Sequence, residues 1–318
     1  MYIGVDIGGT KCAVCQSVGD GQILNKIKFN TTTCQETIEN ICQAIEKMEP
    51  AQAIGISCGG PLDIREGLIM SPPNLVGWDR VPIVQILEDR FRVPVYLQND
   101  ANACALAEWK FGAGKGYRNL VFLTFGTGLG CGLILNGALY EGPSGTAGEV
   151  GHIRLSDYGP VGYGKSGSFE GFCSGSGLAQ IGHTVATEHL QRGETTSFCK
   201  SMEELHLVNA KLIAECADAG YEDAKEVYRI CARQLGRGLS IIVDMLNPEA
   251  IILGSIYQRS EALLYEQMMQ VLTKESLPEA LQICRILPAE LGDSIGDYAA
   301  LSVAMSGEPH KVMRKDRD

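Results

Sequence analysis

The chain has 318 residues, 45% hydrophobic and 20% charged, so it has enough apolar material for the cores of two domains. Its formal net charge of −11 argues against a nucleic-acid or anionic-membrane surface, because such surfaces bind through clustered basic residues. This charge does not exclude a phosphorylated nucleotide, since backbone N–H groups, a few cations and a metal ion can hold phosphates.

The N-terminal sequence MYIGVDIGGT has no basic segment, long apolar run or small-residue cleavage site. No run of the sequence approaches the length of a membrane span, so we predict a cytoplasmic protein with no membrane partner. The twelve cysteines, most of them in apolar periodic segments, are interpreted as buried and reduced. Cys12 and Cys15 match C-x-x-C but fall on a predicted strand, where residues three apart face opposite sides.

The first part of the chain predicts a mixed sheet covered by helices. In chain order we expect strands at 2–6, 12–18 and 23–29, a helix at 35–48, a strand at 53–57, a helix at 83–91, a strand at 95–97 and a helix at 101–110. Strands followed by an alternating strand–helix order are typical of α/β domains. Gly112, Gly114 and Gly116 mark a boundary, so the domains are predicted as 1–116 and 117–292.

The second part of the chain repeats the opening pattern of strand, glycine-rich turn and strand. We expect strands at 120–125 and 131–135, a loop at 156–177, helices at 203–218 and 222–245, a strand at 250–253 and helices at 260–272 and 293–306. The last helix is expected to pack back on the first domain, and the charged residues 308–318 to be frayed. The repetition indicates an internal duplication with a nucleotide held between two related lobes.

The first glycine-rich turn has the residue types that hold a phosphate. Gly8 and Gly9 let backbone N–H groups approach phosphate oxygens, Thr10 offers a hydroxyl and Lys11 a positive charge. Asp6, at the end of the strand, is placed to act on Mg²⁺ through water. A plain β-hairpin with a solvated acid is the alternative.

The second turn favours the phosphate interpretation of both turns. Gly126, Thr127 and Gly128 follow a predicted strand, where alternating glycines lose more backbone entropy than other residues would. A structural bulge is the alternative, and the paired occurrence of the two turns makes phosphate binding the better explanation.

Asp100 is the candidate catalytic base, since a carboxylate at the carboxyl end of a strand in an α/β sheet lies where ligands usually bind. Phosphoryl transfer needs positioning, charge neutralisation and a base for the attacking hydroxyl. The alternative is an aspartate that only caps a helix, and taken alone this alternative would be preferred. Glu149, His152 and Glu170 add polar groups suited to sugar hydroxyls, although spacing alone does not exclude isolated surface residues.

Residues 159–166 match the P-loop pattern G-x-x-x-x-G-K-[ST]. That pattern requires a helix to start at the lysine, and the glycines that follow Lys165 disfavour such a helix. We interpret the match as fortuitous.

These motifs, in this order, resemble the ROK family of sugar kinases and sugar-responsive repressors, within the hexokinase–actin–Hsp70 superfamily. The resemblance covers about residues 2–306. It rests on DIGGTK (6–11), GGP (59–61), SPPNLVGW (71–78), NDAN (99–102), FGTGLG (125–130), EVGH (149–152), Glu170 and LNPEAIILG (246–254).

The resemblance implies an actin-like, ribonuclease H-like α/β fold, duplicated into two lobes with a nucleotide and sugar cleft between them. Asp100 matches the catalytic base. The positions that match sugar-binding residues are Gly60, Asn74, Asn99, Asp100, Glu149, His152 and Glu170. The positions that match the ATP site are Gly8, Gly9, Thr10, Lys11, Gly126, Thr127, Gly128 and Gly254. Family kinases use ATP and Mg²⁺ and are often homodimers or homotetramers.

The sequence departs from the family at a structural zinc site. Family members usually carry three cysteines after the E-x-G-H motif, and Val161, Tyr163 and Ser168 replace them here. Only His152 remains of the four ligands, and one histidine cannot build a closed tetrahedral site. We therefore expect no structural zinc, with Val161 and Phe169 packing in its place.

Three functions are compatible with the resemblance. The favoured one is ATP-dependent phosphorylation of a hexose, with O6 of glucose as the first candidate acceptor. N-acetylmannosamine, N-acetylglucosamine and fructose are alternative substrates. A sugar-sensing repressor would carry a helix-turn-helix before the first strand, for which a strand starting at Tyr2 leaves no room, and a non-catalytic sugar sensor would lack the base or a phosphate turn.

Overall fold

The structure, a computed structural model, describes residues 1–307, so the predicted fraying of 308–318 lies outside the described residues. The chain forms two compact units. The first unit contains residues 1–107 and the segment that begins at Asp293, and the second unit contains Glu108–Gly292. Within 1–307, no helix is both long and apolar enough to cross a bilayer.

The first unit is built on a five-stranded mixed sheet in the order β3-β2-β1-β4-β7. β1 runs antiparallel to β2 and parallel to β4, and β4 runs parallel to β7. Its strands are β1 (Tyr2–Ile7), β2 (Lys11–Ser17), β3 (Ile23–Asn30), β4 (Ala53–Cys58), β5 (Leu62–Asp63), β6 (Leu68–Ile69) and β7 (Val95–Asn99). Its helices are α1 (Cys34–Glu46), α2 (Ile83–Phe91), α3 (Asp100–Phe111, which continues into the second unit) and, at the C-terminal end, α10 (Ile295–Ser306).

The first sheet is covered on both faces. Ile3 and Val5 of β1 point to the face where α1 and α2 complete an apolar core. The opposite face carries glycine, and α10 packs there directly on β1 and β4. A Cβ on Gly55 would lie 2.2 Å from the backbone nitrogen of Ala304, so this close approach requires glycine.

The second unit is built on a five-stranded sheet in the order β10-β9-β8-β13-β14. Its strands are β8 (Leu120–Phe125), β9 (Leu129–Leu135), β10 (Ala138–Leu139), β11 (Val161–Gly162), β12 (Lys165–Ser166), β13 (Ala250–Leu253) and β14 (Arg285–Pro288). Its helices are α4 (Phe169–Phe172), α5 (Gly175–Gln191), α6 (Ala210–Asp218), α7 (Glu222–Leu246), α8 (Ile256–Glu275) and α9 (Pro278–Leu281).

The two main sheets have the same topology. In each, the first strand pairs antiparallel with the second and parallel with the fourth, and a fifth strand follows in parallel. The structure therefore confirms the duplication that the repeated strand–turn–strand pattern predicted.

Some predicted elements are wrong. The helix predicted at 203–218 is a 3₁₀ helix at Met202–Leu207 followed by α6, because Asn209 accepts a hydrogen bond from Leu212 N and starts a new helix. The loop predicted at 156–177 contains β11, β12, α4 and the first turn of α5. The last helix begins at Ile295, after a 3₁₀ turn at Gly292–Ser294.

Candidate active site

In the first unit, three parallel strands end side by side. The register aligns Ile7 of β1, Cys58 of β4 and Asn99 of β7. The residues at or near these strand ends, Asp6, Gly59 and Asp100, therefore lie at one edge of the sheet. This is where ligands bind in α/β sheets.

Asp100 is the first residue of α3, and its Oδ1 accepts a hydrogen bond from Ala101 N at 2.8 Å. The side chain keeps access to solvent, while the surrounding protein raises the pKa of its carboxyl by displacing water from the charged form. A Cβ on Gly59 would lie 3.9 Å from Asp100 Oδ2, so Gly59-Gly60 runs past the carboxyl. Asp100 thus has an accessible carboxyl with a raised proton affinity, as a general base requires.

The side chain of Asn99 caps helix α3. From the sequence alone, this capping role is the alternative interpretation of Asp100. Asn99 Oδ1 accepts from Asn102 N at 2.9 Å and so satisfies a donor in the first turn of α3. The cap uses Oδ1 and leaves the Asn99 amide nitrogen as a donor.

Asp6 lies among charged groups that the sequence did not place near it. Burial first, and then the charges of Asp297 and Asp100, raise the pKa of Asp6 from 3.8 to about 6, against the opposing effect of Lys26 and Lys28. The buried Asp297 forms an ion pair with Lys26. A site rich in negative charge is one where a cation is favourable.

We expect Asp6→Asn to gain stability relative to the wild type as pH rises from about 4 to above 6. Since the folded-state pKa is about 6 and the ordinary value 3.8, the folded protein holds a proton in this range that the unfolded chain has released, so wild-type stability falls with rising pH. Asparagine removes this slope. Urea unfolding across the range, with the exposed Asp20→Asn as control, tests the expectation, and identical slopes in all three proteins would contradict it.

The first glycine-rich turn is closed by a hydrogen bond from Gly8 N to Lys11 O at 3.1 Å, and Thr31 Oγ1 donates to Gly8 O at 2.6 Å. The side chains of Thr10 and Lys11 are exposed. A Cβ on Gly9 would lie 2.6 Å from Asn74 Cβ, so the turn packs against this exposed asparagine. A predicted phosphate-binding turn and a predicted sugar-binding residue are therefore in contact.

In the second unit, the turn at Gly126–Gly128 lies against the starts of two helices. Gly175 N of α5 donates to Gly126 O at 2.8 Å, and Ser176 Oγ donates to Thr127 O at 3.2 Å. A Cβ on Gly126 would lie 3.8 Å from Ser255 Oγ, at the start of α8 and next to Gly254. The residues predicted to contact ATP in this unit are thus neighbours, and helix N-termini favour anions.

Glu170, at the start of α4, links the same turn to the region predicted to bind the sugar. Its Oε2 accepts from Leu129 N at 3.0 Å, and a Cβ on Gly128 would lie 2.7 Å from that oxygen. Its Cβ lies 3.3 Å from where a Cβ on Gly151 would be. Glu170 therefore contacts both the glycine-rich turn at Gly126–Gly128 and the segment from Glu149 to His152.

Glu149 precedes a short 3₁₀ helix at Val150–His152 and His152 is its last residue, and both residues are exposed. The ring of Tyr163 meets the His152 ring edge to face, with centroids 6.3 Å apart. Lys165 Nζ donates to the carbonyl of His152 at 2.7 Å. The strands β11 and β12 thus hold the segment that contains His152.

A hydrogen-bonded network holds the loop in which the family pattern has zinc ligands. Ser168 Oγ is buried, accepts from Gly171 N at 3.0 Å and donates to Gly162 O at 3.4 Å. Phe169 is fully buried against Gly238, whereas Val161 is 46% exposed, so the expected packing of Val161 is wrong. Hydrogen bonds, rather than a second apolar contact at Val161, therefore hold strand β11. The expected lack of zinc stays a prediction.

We expect Ser168→Ala to lose about 1–3 kcal/mol of stability, because it leaves the buried Gly171 N–H and Gly162 carbonyl without this partner. The exposed Ser144→Ala is the matched control for this variant.

The wild-type Tm should not change with a chelator, and metal analysis should find no zinc. One zinc per chain, or a chelator-sensitive Tm, would contradict the prediction.

Several residues near the site were missed from the sequence. Asp297 is an acid within an apolar helical segment, a signal that could have revealed its special environment, whereas Lys26, Ser176 and Ser255 carry no such signal.

The match to the P-loop pattern at residues 159–166 is fortuitous, as predicted, since Lys165 begins strand β12 and no helix starts there.

The two units and their glycine-rich turns define a class of protein, the actin-like sugar kinases and their relatives. The ROK family model matches residues 2–306, and the chain belongs to the ROK family.

Similarity extends over most of the chain. A glucokinase of Streptomyces coelicolor is 32% identical over 315 residues, covering 97% of this chain and 99% of that protein. An N-acetylmannosamine kinase of Escherichia coli is 31% identical over 257 residues, covering 79% of this chain and 81% of that protein. The crystal structure of a ROK glucokinase from Streptomyces griseus with glucose and AMPPNP is 30% identical, with a TM-score of 0.76 over 96% of this chain and 99% of that one.

Proposed function

We propose that this protein is an ATP-dependent sugar kinase that phosphorylates a hexose hydroxyl, with O6 of glucose as the first candidate and Asp100 as the general base. The observation that carries the proposal is Asp100 itself, an accessible carboxyl with a raised pKa at the sheet edge where Asp6 also lies. The identity to glucokinases over nearly the whole chain supports the same reaction.

The chemistry follows from the position of this carboxyl. Asp100 accepts the proton of the sugar hydroxyl as that oxygen forms its bond to the γ-phosphorus of ATP. The bond between the γ-phosphorus and the bridging oxygen breaks, and ADP leaves. The raised pKa favours this step because it brings the proton affinity of Asp100 closer to the operating pH.

The two glycine-rich turns bind the phosphates of ATP in this proposal. Their backbone N–H groups, together with Thr10, Lys11 and Thr127, hold phosphate oxygens, and Gly254 lies near the nucleotide. Mg²⁺ neutralises phosphate charge when bound. Asp6 fits a magnesium site through water, since Mg²⁺ keeps several waters and takes one or two carboxylates beside the phosphates.

The residues proposed to bind the sugar hydroxyls are Gly60, Asn74, Asn99, Glu149, His152 and Glu170. N-acetylmannosamine is a second candidate substrate because the N-acetylmannosamine kinase is 31% identical. N-acetylglucosamine and fructose are further candidates from the resemblance.

A coupled assay of ADP release with ATP and a panel of hexoses and N-acetylhexosamines tests the proposal. We expect turnover with one sugar, and mass spectrometry or NMR of the product to locate the phosphate. Sugar binding by calorimetry without turnover on any sugar would indicate a non-catalytic regulator instead.

We also propose a cytoplasmic homodimer or homotetramer that binds neither nucleic acid nor membrane. The assembly rests on the family resemblance, and the lack of nucleic-acid binding on the net charge of −11. Light scattering coupled to size-exclusion chromatography tests the assembly, and a monomer would contradict it.

A further inference from the structure

Tyr163, in the second unit, has a backbone conformation that is energetically unfavourable for a tyrosine. With Gly164 it forms the turn between β11 and β12, with a φ of 43° at Tyr163 and 73° at Gly164. A two-residue hairpin turn with both φ angles positive strongly favours asparagine or glycine at its first position. The tyrosine side chain is also 85% exposed, so its burial in a core does not offset the cost of this backbone conformation.

The ring of Tyr163 contacts the ring of His152. The centroids lie 6.3 Å apart and the planes meet at 78°, which is a favourable edge-to-face geometry. In the same hairpin, Lys165 holds the carbonyl of His152 at 2.7 Å. The hairpin therefore contacts His152 at both its main chain and its ring.

The hairpin is itself firmly anchored to α5. Val161 N donates to Gln180 Oε1, and Gln180 Nε2 donates to Val161 O, both at 2.9 Å. The buried Ser168 bonds to the carbonyl of Gly162 at 3.4 Å. A ring mounted on this hairpin keeps a fixed place relative to His152.

We propose that Tyr163 is a positioning residue that holds the imidazole of His152 in the orientation that binds the sugar. The inference rests on the proposed function, in which His152 contacts a sugar hydroxyl. An exposed histidine side chain samples several rotamers, and binding must restrict them. The edge-to-face contact restricts the imidazole before the sugar arrives, so its loss weakens sugar binding without altering the phosphoryl transfer step.

Steady-state kinetics of Tyr163→Asn and Tyr163→Phe test this role. Tyr163→Asn suits the turn, so its Tm should equal or exceed that of the wild type. We expect its KM for the sugar to rise about fivefold, the size typical of an aromatic pair, with kcat and the KM for ATP unchanged. Tyr163→Phe keeps the ring and should restore the wild-type KM. Tyr158 lies in the same loop and is 86% exposed, so Tyr158→Asn is the matched control. It should leave the sugar KM and kcat unchanged.

An unchanged sugar KM in Tyr163→Asn would overturn the inference, as would a Tyr163→Phe variant as impaired as Tyr163→Asn. Calorimetric titration with the same sugar separates this failure from a failure of the proposed function. If the wild type binds no sugar, the proposed function is wrong. If the wild type binds it, His152→Ala weakens binding and Tyr163→Asn does not, this inference alone is wrong.

Discussion

Replacing Asp100 with asparagine should lower kcat by about 10²–10⁴-fold, the contribution typical of a general base. The amide has the shape of the carboxyl but cannot accept the proton of the sugar hydroxyl. Because asparagine keeps a hydrogen-bonding oxygen at this position, the sugar affinity should change far less than kcat. Initial velocities at saturating sugar and ATP, together with calorimetric sugar binding, separate these two effects.

Asp89→Asn provides the matched control for Asp100→Asn. Asp89 lies on α2, is 66% exposed and pairs with Arg92, so neutralising it should leave kcat and sugar affinity unchanged. If Asp100→Asn kept kcat within about tenfold of the wild type, less than the smallest typical effect of a general base, another group would have to accept the proton.

Replacing Glu108 with alanine should destabilise the protein by about 4 kcal/mol, several times the effect of an ordinary surface change. Glu108 lies on α3 and is fully buried. Its carboxyl accepts from Ala113 N at 2.9 Å, from Glu290 N at 3.1 Å and from Leu291 N at 3.0 Å. Alanine leaves these three partly buried backbone donors without their acceptor, and each lost bond carries a desolvation cost.

Urea unfolding of Glu108→Ala, Glu108→Gln and the exposed Glu266→Ala tests this expectation. Glutamine keeps one accepting oxygen and should cost roughly half as much as alanine, since fewer donors lose a partner. Glu266→Ala on α8 should stay within about 0.5 kcal/mol of the wild type. A loss below about 1 kcal/mol for Glu108→Ala would mean that water replaces the carboxyl without cost.

The same carboxyl lies next to the residue at which the first unit ends. The glycines at 112, 114 and 116 predict an end of the first domain at 116, whereas the first unit ends at Ala107. Glu108 bonds the end of α3 to residues 290 and 291, so this last part of the helix belongs to the second unit. Contacts between residues so far apart in the chain leave no local signal.

Local patterns succeeded where one segment determines its own structure. The strands at 120–125 and 250–253 and the helix at 83–91 have the predicted bounds, because apolar runs and periodicity are local signals. The repeat of strand, glycine turn and strand predicted the duplicated sheet. Helix α5 at Gly175–Gln191 was not predicted at all, and the glycines at 175 and 177 disfavour a helix by themselves.

The arrangement of the candidate active site could be predicted in part, again because some of its residues carry local signals. Asp6 precedes the last residue of β1 and Asp100 follows the last residue of β7, positions that the sequence makes visible, and the parallel register brings them to one edge. The charges around Asp6 come from Asp297 and Lys26, on elements at opposite ends of the chain, which no spacing rule connects. Likewise, only the folded loop shows Tyr163 against His152.

The shared topology of the two sheets carries an evolutionary consequence. Each sheet has a β-hairpin with glycines in its turn, but the two turns differ in length. Four residues separate the paired Ile7 and Cys12 in the first hairpin, and three separate the paired Phe125 and Leu129 in the second. The first copy carries an acid before its turn and a lysine within it, and the second carries neither. An ancestral gene duplication would thus have been followed by divergence of the two hairpins, one with ionic side chains at these positions and the other without them.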